Sequence, residues 1–174
     1  MKKYSDELIN CPAIFDWDGT IVASVRNKAQ ILMECLGEYK IEKFELLKSI
    51  MKRSGIKRDM KIREILIECI GYDITHGELN SILKNYSNRL KNIENIESIP
   101  GFKAFIDSRK NVSYICSSAP RAEILSGLTM IHVPHENFII FDAVDNKSVI
   151  FKQIMEDSIS PIFAVGDSLL SIYI

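Results

Sequence analysis

No run of this 174-residue sequence is long and apolar enough to span a membrane, and no apolar segment of the secretory type follows Lys2, Lys3, Asp6 and Glu7. A soluble, cytoplasmic protein with no membrane partner is the expectation. An excess of basic charge is also missing. The 22 Lys and Arg and 23 Asp and Glu leave a net charge of −1 and form no basic stripe, which argues against a nucleic-acid partner. The four cysteines, Cys11, Cys35, Cys69 and Cys116, include no C-x-x-C pair, and reduced, buried thiols are expected. There is no internal repeat and no low-complexity segment. At 47% hydrophobic residues the chain is long enough to bury one sizeable core and a small appended subdomain.

Four short apolar runs each end in polar residues. Residues 12–15 run into Asp16-Trp17-Asp18-Gly19-Thr20, residues 112–116 into Ser117-Ser118-Ala119-Pro120, residues 138–141 into Asp142, and residues 161–165 into Gly166-Asp167-Ser168. Each reads as a buried strand. Apolar residues at three- and four-residue spacing predict helices over 101–110, 121–129 and 148–157. Alternating strands and helices imply a parallel α/β sheet with helices on both faces, a three-layer arrangement in which ligands bind at the carboxyl ends of the strands. Residues 21–99 differ: they contain no convincing strand, and amphipathic patterns near 24–37, 41–53, 58–70 and 77–92 predict an all-helical insertion. The sheet domain is then 1–20 together with 100–174, resumed at Pro100-Gly101.

Asp16 and Asp18 stand two residues apart at a strand end, so both carboxylates can point to one side of the pleat. Adjacent carboxylates repel unless a cation lies between them, and hard oxygen donors suit Mg²⁺. One carboxylate is then available as a nucleophile and the other as a general acid and base.

Asp-Trp-Asp-Gly-Thr after Ala-Ile-Phe resembles the first motif, D-x-D-G-T, of the haloacid dehalogenase superfamily. Ser117 resembles the second motif, Lys147 the third, and Gly166-Asp167-Ser168 the fourth, so that four motifs in the family's order span the sheet domain. The resemblance implies a Rossmann-like core carrying a helical cap over 21–99, and a Mg²⁺-dependent phosphatase that hydrolyses a small phosphorylated metabolite. Asp16 is then the nucleophile that forms an aspartyl phosphate, and Asp18 the general acid and base. Thr20, Ser117, Ser118 and Lys147 bind phosphate, while the metal is held by the Asp16 carboxylate, the Asp18 carbonyl and Asp167. Substrate selection falls to the cap, where Arg58 is a candidate contact for an anionic group.

Plainer roles stand beside these. Ser117 also suits a turn or helix cap before residue 121. Arg58 with Lys57 and Lys61 also reads as one solvated helix face. Lys152 competes with Lys147, and five residues place the two about 140° apart around a helix. Lys147 is preferred because it directly follows the loop leaving the third strand.

Two departures stand out. Ser171 occupies the place of the fourth motif's last acid, which lowers the expected affinity for metal. The sequence also ends at Ile174, where members of the family usually continue, so an open sheet edge and a homodimer covering it are expectations to examine. A catalytically impaired member that binds a phosphorylated ligand without turnover is the alternative of another class. A phosphomutase or phosphotransferase is the alternative within enzymes. A response-regulator receiver domain fits poorly, because its acidic pair precedes a phosphoacceptor Asp on a later strand.

Overall fold

A computed structural model describes residues 9–93, 95–158 and 161–166. Four parallel strands, β1 (Ala13–Phe15), β2 (Ser113–Cys116), β3 (Phe138–Phe141) and β4 (Phe163–Val165), form one sheet in the order β3-β2-β1-β4. Seven α-helices are described: α1 (Val25–Cys35), α2 (Lys43–Lys52), α3 (Arg58–Ile70), α4 (His76–Lys91), α5 (Phe102–Ser108), α6 (Arg121–Met130) and α7 (Lys147–Asp157). The fold class is α/β with a parallel sheet, as the alternating pattern predicts. Among the described residues no helix is long and apolar enough to cross a membrane.

The Ala-Ile-Phe of β1 is buried throughout because this strand has a neighbour on each edge and helices over both faces. The pleat divides the side chains. Ala13, Phe15, Ile115, Phe138 and Ile140 meet Phe102 and Ile106 of α5 and Ile124 and Leu128 of α6. Ile14 and Cys116 meet Phe151 and Ile154 of α7 on the opposite face. The strand order explains this division. The chain steps outward from β1 to β2 to β3 and then returns past β1 to β4, so right-handed crossovers put α7 on the other side from α6. The reversal lies at β1, the kind of switch point where open sheets bind ligands.

Contacts divide the chain into two compact units, Ser24–Glu94 and the segments on either side of it. The helical unit is slightly shorter than the 21–99 expected from the sequence. Residues 21–23 belong to the sheet unit because Ile21 accepts from the Ile99 N–H at 2.9 Å, Val22 bridges Ser98, and Ala23 donates to Glu97 at 2.9 Å. Propensity does not reveal so short a pairing.

Within the helical unit, α1 to α4 pack Leu32, Leu36, Leu46, Ile50, Ile62, Leu66, Leu79, Ile82 and Tyr86 into their own core. Thr75 and Glu78 start α4 with a reciprocal capping box, and Gly71, at φ 65°, ends α3. Arg53 is buried at the end of α2, donating from Nε to Glu64 at 2.9 Å and from Nη1 to the Ser49 hydroxyl at 2.6 Å. Cys35 and Cys116 are buried free thiols, whereas Cys11 and Cys69 are half-buried.

Candidate active site

The site is built where β1, β2 and β3 end. Asp16 follows Phe15 directly, and its N–H donates to the Val165 carbonyl at 2.9 Å, which extends the pairing with β4 by one residue. Both carboxylate oxygens are engaged: Oδ1 accepts from the Trp17 N–H at 2.7 Å, and Oδ2 lies 2.5 Å from Lys147 Nζ. The two side chains are only 11% and 13% exposed, so the pair is screened far less than a surface ion pair.

Trp17 points away from the carboxylates into the core and is 1% exposed. Its ring lies against Gly127 of α6, so closely that a methyl group on Gly127 would stand 2.5 Å from Trp17 Cζ2. Glycine is required there by the close approach. The chain then turns back: the Trp17 carbonyl accepts from Ile21 at 3.0 Å and Val22 at 3.2 Å, and Gly19 donates to Val22 at 2.8 Å. Gly19 adopts φ 78°, a left-handed conformation that suits glycine. This turn holds Asp18, half-buried, two residues from Asp16.

Thr20 is buried, and its Oγ1 has no hydrogen-bond partner. An unsatisfied buried hydroxyl costs about 1–3 kcal/mol, and a bound polar group or water removes that cost. From β2, Ser117 is buried with its Oγ accepting from the Ala119 N–H at 3.1 Å, which leaves its O–H to donate. Ser118, the next residue, is half-buried. Cys116 precedes them, and burial pushes its thiol up to about 12, even with the opposing influence of Lys147. It is no nucleophile near neutral pH.

The structure therefore joins Asp16 to Lys147 by direct contact, while Lys152, five residues further along α7, is exposed. Lys147 is the first residue of that helix, brought in by Asn146, whose side chain caps the Ser148 N–H at 3.0 Å. Arg58 lies in the helical unit with its guanidinium 5.3 Å from the centre of the Tyr86 ring. Asp167, Ser168 and Ser171 lie outside the described residues. Two features went unassigned in the sequence: the Trp17–Gly127 contact, which no spacing announces, and Asp142, visible only as a polar residue closing the third run.

Among the described residues no group of three or more His, Cys, Asp or Glu side chains could hold a metal ion. The donor chemistry near Asp16 nevertheless fits a hard cation: a nearly buried carboxylate, and the carbonyl of Asp18 in the turn that follows.

The sequence family described as haloacid dehalogenase-like hydrolase matches residues 13–168. The chain belongs to this family. Solved structures share the fold of this haloacid dehalogenase-like protein at low identity. A predicted phosphoglycolate phosphatase from Haemophilus somnus 129PT is 16% identical with a TM-score of 0.70, covering 97% of this chain and 81% of its own. A candidate β-phosphoglucomutase from Bacteroides vulgatus is 15% identical with a TM-score of 0.68, covering 91% and 68%. A conserved haloacid dehalogenase-like protein of unknown function from Agrobacterium tumefaciens is 22% identical with a TM-score of 0.64, covering 90% and 74%. No curated protein matches the sequence.

Proposed function

We propose that this haloacid dehalogenase-like hydrolase is a Mg²⁺-dependent phosphatase acting on a small phosphorylated metabolite of the cytoplasm through an aspartyl-phosphate intermediate on Asp16. The observation that carries the reading is the nearly buried Asp16 carboxylate held 2.5 Å from Lys147 at the end of a central strand. A fixed carboxylate beside a fixed cation suits phosphoryl transfer, where catalysis is mainly positioning and neutralisation of charge on the equatorial oxygens.

Asp16 attacks phosphorus, forming a carboxylate–phosphorus bond as the ester P–O bond breaks. Asp18 gives its proton to the departing alkoxide. It then takes a proton from water, which attacks the same phosphorus, releases orthophosphate and restores Asp16. Lys147 and Ser117 hold phosphoryl oxygens during both displacements, and the orphaned Thr20 hydroxyl and Ser118 complete that cradle. Asp16, the Asp18 carbonyl and Asp167 would hold Mg²⁺, which supplies charge neutralisation at the phosphoryl group when bound.

The test is orthophosphate release from p-nitrophenyl phosphate and a panel of sugar and nucleotide monophosphates, with Mg²⁺ and with EDTA. Release that needs Mg²⁺ and falls by on the order of 10³-fold or more in Asp16→Asn is expected. Near wild-type turnover in that variant rules out Asp16 as nucleophile. A folded wild type that releases nothing favours ligand binding without turnover, and phosphoryl transfer to a second sugar rather than water marks a mutase.

A further inference from the structure

We propose that Asp142 is a positioning residue for the phosphate-binding groups. It fastens the turn after β2, which carries Ser117, to the turn after β3, which leads to Lys147. The inference rests on the phosphatase reading above and adds a residue to which that reading gives no role.

Neither turn is regular, and each satisfies the other's backbone. Ser117 donates its N–H to the Phe141 carbonyl at 3.0 Å, Val144 donates to the Ser117 carbonyl at 2.9 Å, and Ala143 donates to the Ala119 carbonyl at 3.0 Å. Ala143 adopts φ 50°, a left-handed conformation that a residue with a Cβ keeps only where its surroundings demand it.

The bonds named so far are between backbone atoms. Asp142 adds a side-chain link. Its Oδ2 accepts from the N–H of Arg121, the first residue of α6, at 3.2 Å. That N–H has no acceptor within its own helix, and Pro120, in the capping position, has no side chain able to serve. Asp142 thus caps α6 from another strand, where the helix dipole favours its negative charge. Its Oδ1 lies 3.6 Å from Arg121 Nη1, which also donates to the Ile140 carbonyl at 3.1 Å.

The start of α6, the Ser117 hydroxyl and the approach to Lys147 are thereby held as one body. Without Asp142 the first turn of α6 loses its cap, and Ser117 drifts relative to Lys147. A reaction that depends on aligning both with one phosphoryl group is sensitive to a displacement of a fraction of an ångström.

The test compares Asp142→Ala, Asp142→Asn and Arg121→Ala with wild type, reading kcat and KM for p-nitrophenyl phosphate with Mg²⁺, orthophosphate affinity by titration calorimetry, and thermal melting. Asp142→Ala is expected to lower kcat by roughly 10- to 100-fold, with a smaller change in KM and weaker orthophosphate binding. Asp142→Asn keeps an oxygen for the Arg121 N–H and is expected to recover most of that loss. Arg121→Ala keeps the N–H itself and is expected to stay within about twofold of wild type. Wild-type kcat and orthophosphate affinity in Asp142→Ala overturn the inference, as does an Asn variant no better than the Ala variant. Should Asp142→Ala not fold, Asp142→Glu misplaces the carboxylate by one methylene and is expected to show the same kcat loss; unchanged kcat there also overturns it. A wild type that binds orthophosphate but releases none from any ester sinks the phosphatase reading alone, and the orthophosphate comparison then decides Asp142.

Discussion

Gly127→Ala tests whether the two carboxylates are held from behind. The added methyl would lie 2.5 Å from Trp17 Cζ2 and 3.0 Å from Cη2, against an ordinary carbon–carbon contact of about 3.5–4.0 Å. Trp17 is a rigid ring, 1% exposed, in a core of close-packed side chains. Overpacking of this kind costs about 1–3 kcal/mol. Alanine's better helix propensity offsets about 1 kcal/mol of that. A net loss of up to about 2 kcal/mol follows, lowering the melting temperature by up to roughly 8 °C for a chain of this size. Trp17 is also the residue between Asp16 and Asp18, so the strain is delivered to the site. Trp17 is the one tryptophan in the sequence, and its fluorescence reports the displacement directly. The assay is a double-mutant cycle of Gly127→Ala and Trp17→Phe, read by melting and phosphate release, with fluorescence compared between wild type and Gly127→Ala, which keep Trp17. The smaller ring should relieve part of the clash, so the double variant should be more stable than the sum of the single losses predicts. A Gly127→Ala protein as stable as wild type with unaltered fluorescence, or strictly additive losses, would refute the reasoning.

Lys147→Ala should lower phosphate release by roughly 10²- to 10³-fold, the scale for losing one preorganised charge-stabilising donor, while Lys152→Ala should leave it near wild type; equal losses would undo the distinction between the two lysines. Burial raises the thiol pKa of both Cys35 and Cys116, the latter to about 12, so both stay protonated at pH 8. Iodoacetamide footprinting of the native protein should therefore label neither until it is denatured, and rapid labelling of Cys116 would contradict its burial. Glu68 is held down at about 2, against an ordinary 4.5, by hydrogen bonds from Lys52, Ser49 and Arg53. A lowered folded-state pKa means that its contribution is complete above pH 4.5 and is lost as the pH falls from there toward 2. Acid unfolding followed by circular dichroism should be less steep in that window for Glu68→Gln, and an unchanged profile would remove Glu68 from the account.

How much of this was legible in the sequence depends on the range of the interactions involved. The strands were visible because β1 and β2, largely buried between neighbouring strands and helices, and β3, with alternate residues buried, read as short apolar runs, and the four insertion helices because each must bury one stripe. Those signals are local. The sheet order is not. Nothing in Phe-Ile-Ile-Phe says that β3 lies at the far side of β2 from β1, and that placement brings the turn after β3 against Ser117. The same limit applied to the lysines. Helical spacing showed only that Lys147 and Lys152 could not both face the site, whereas the Asn146 cap and the first turn of α7 set which of them meets Asp16. Asp142 and Gly127 escape a sequence reading for the same reason: each acts on a residue far from it along the chain, Asp142 on Arg121 across α6 and β3, and Gly127 on Trp17 across the helical unit, α5 and β2. Motif residues touch the reacting group and can be recognised by their chemistry, but the residues that hold them in place are chosen by topology. Substitutions at Gly127 and Asp142 should therefore impair turnover at least as much as many changes closer to the phosphate, and a scan of turnover against distance from Asp16 that fell off smoothly would contradict that view.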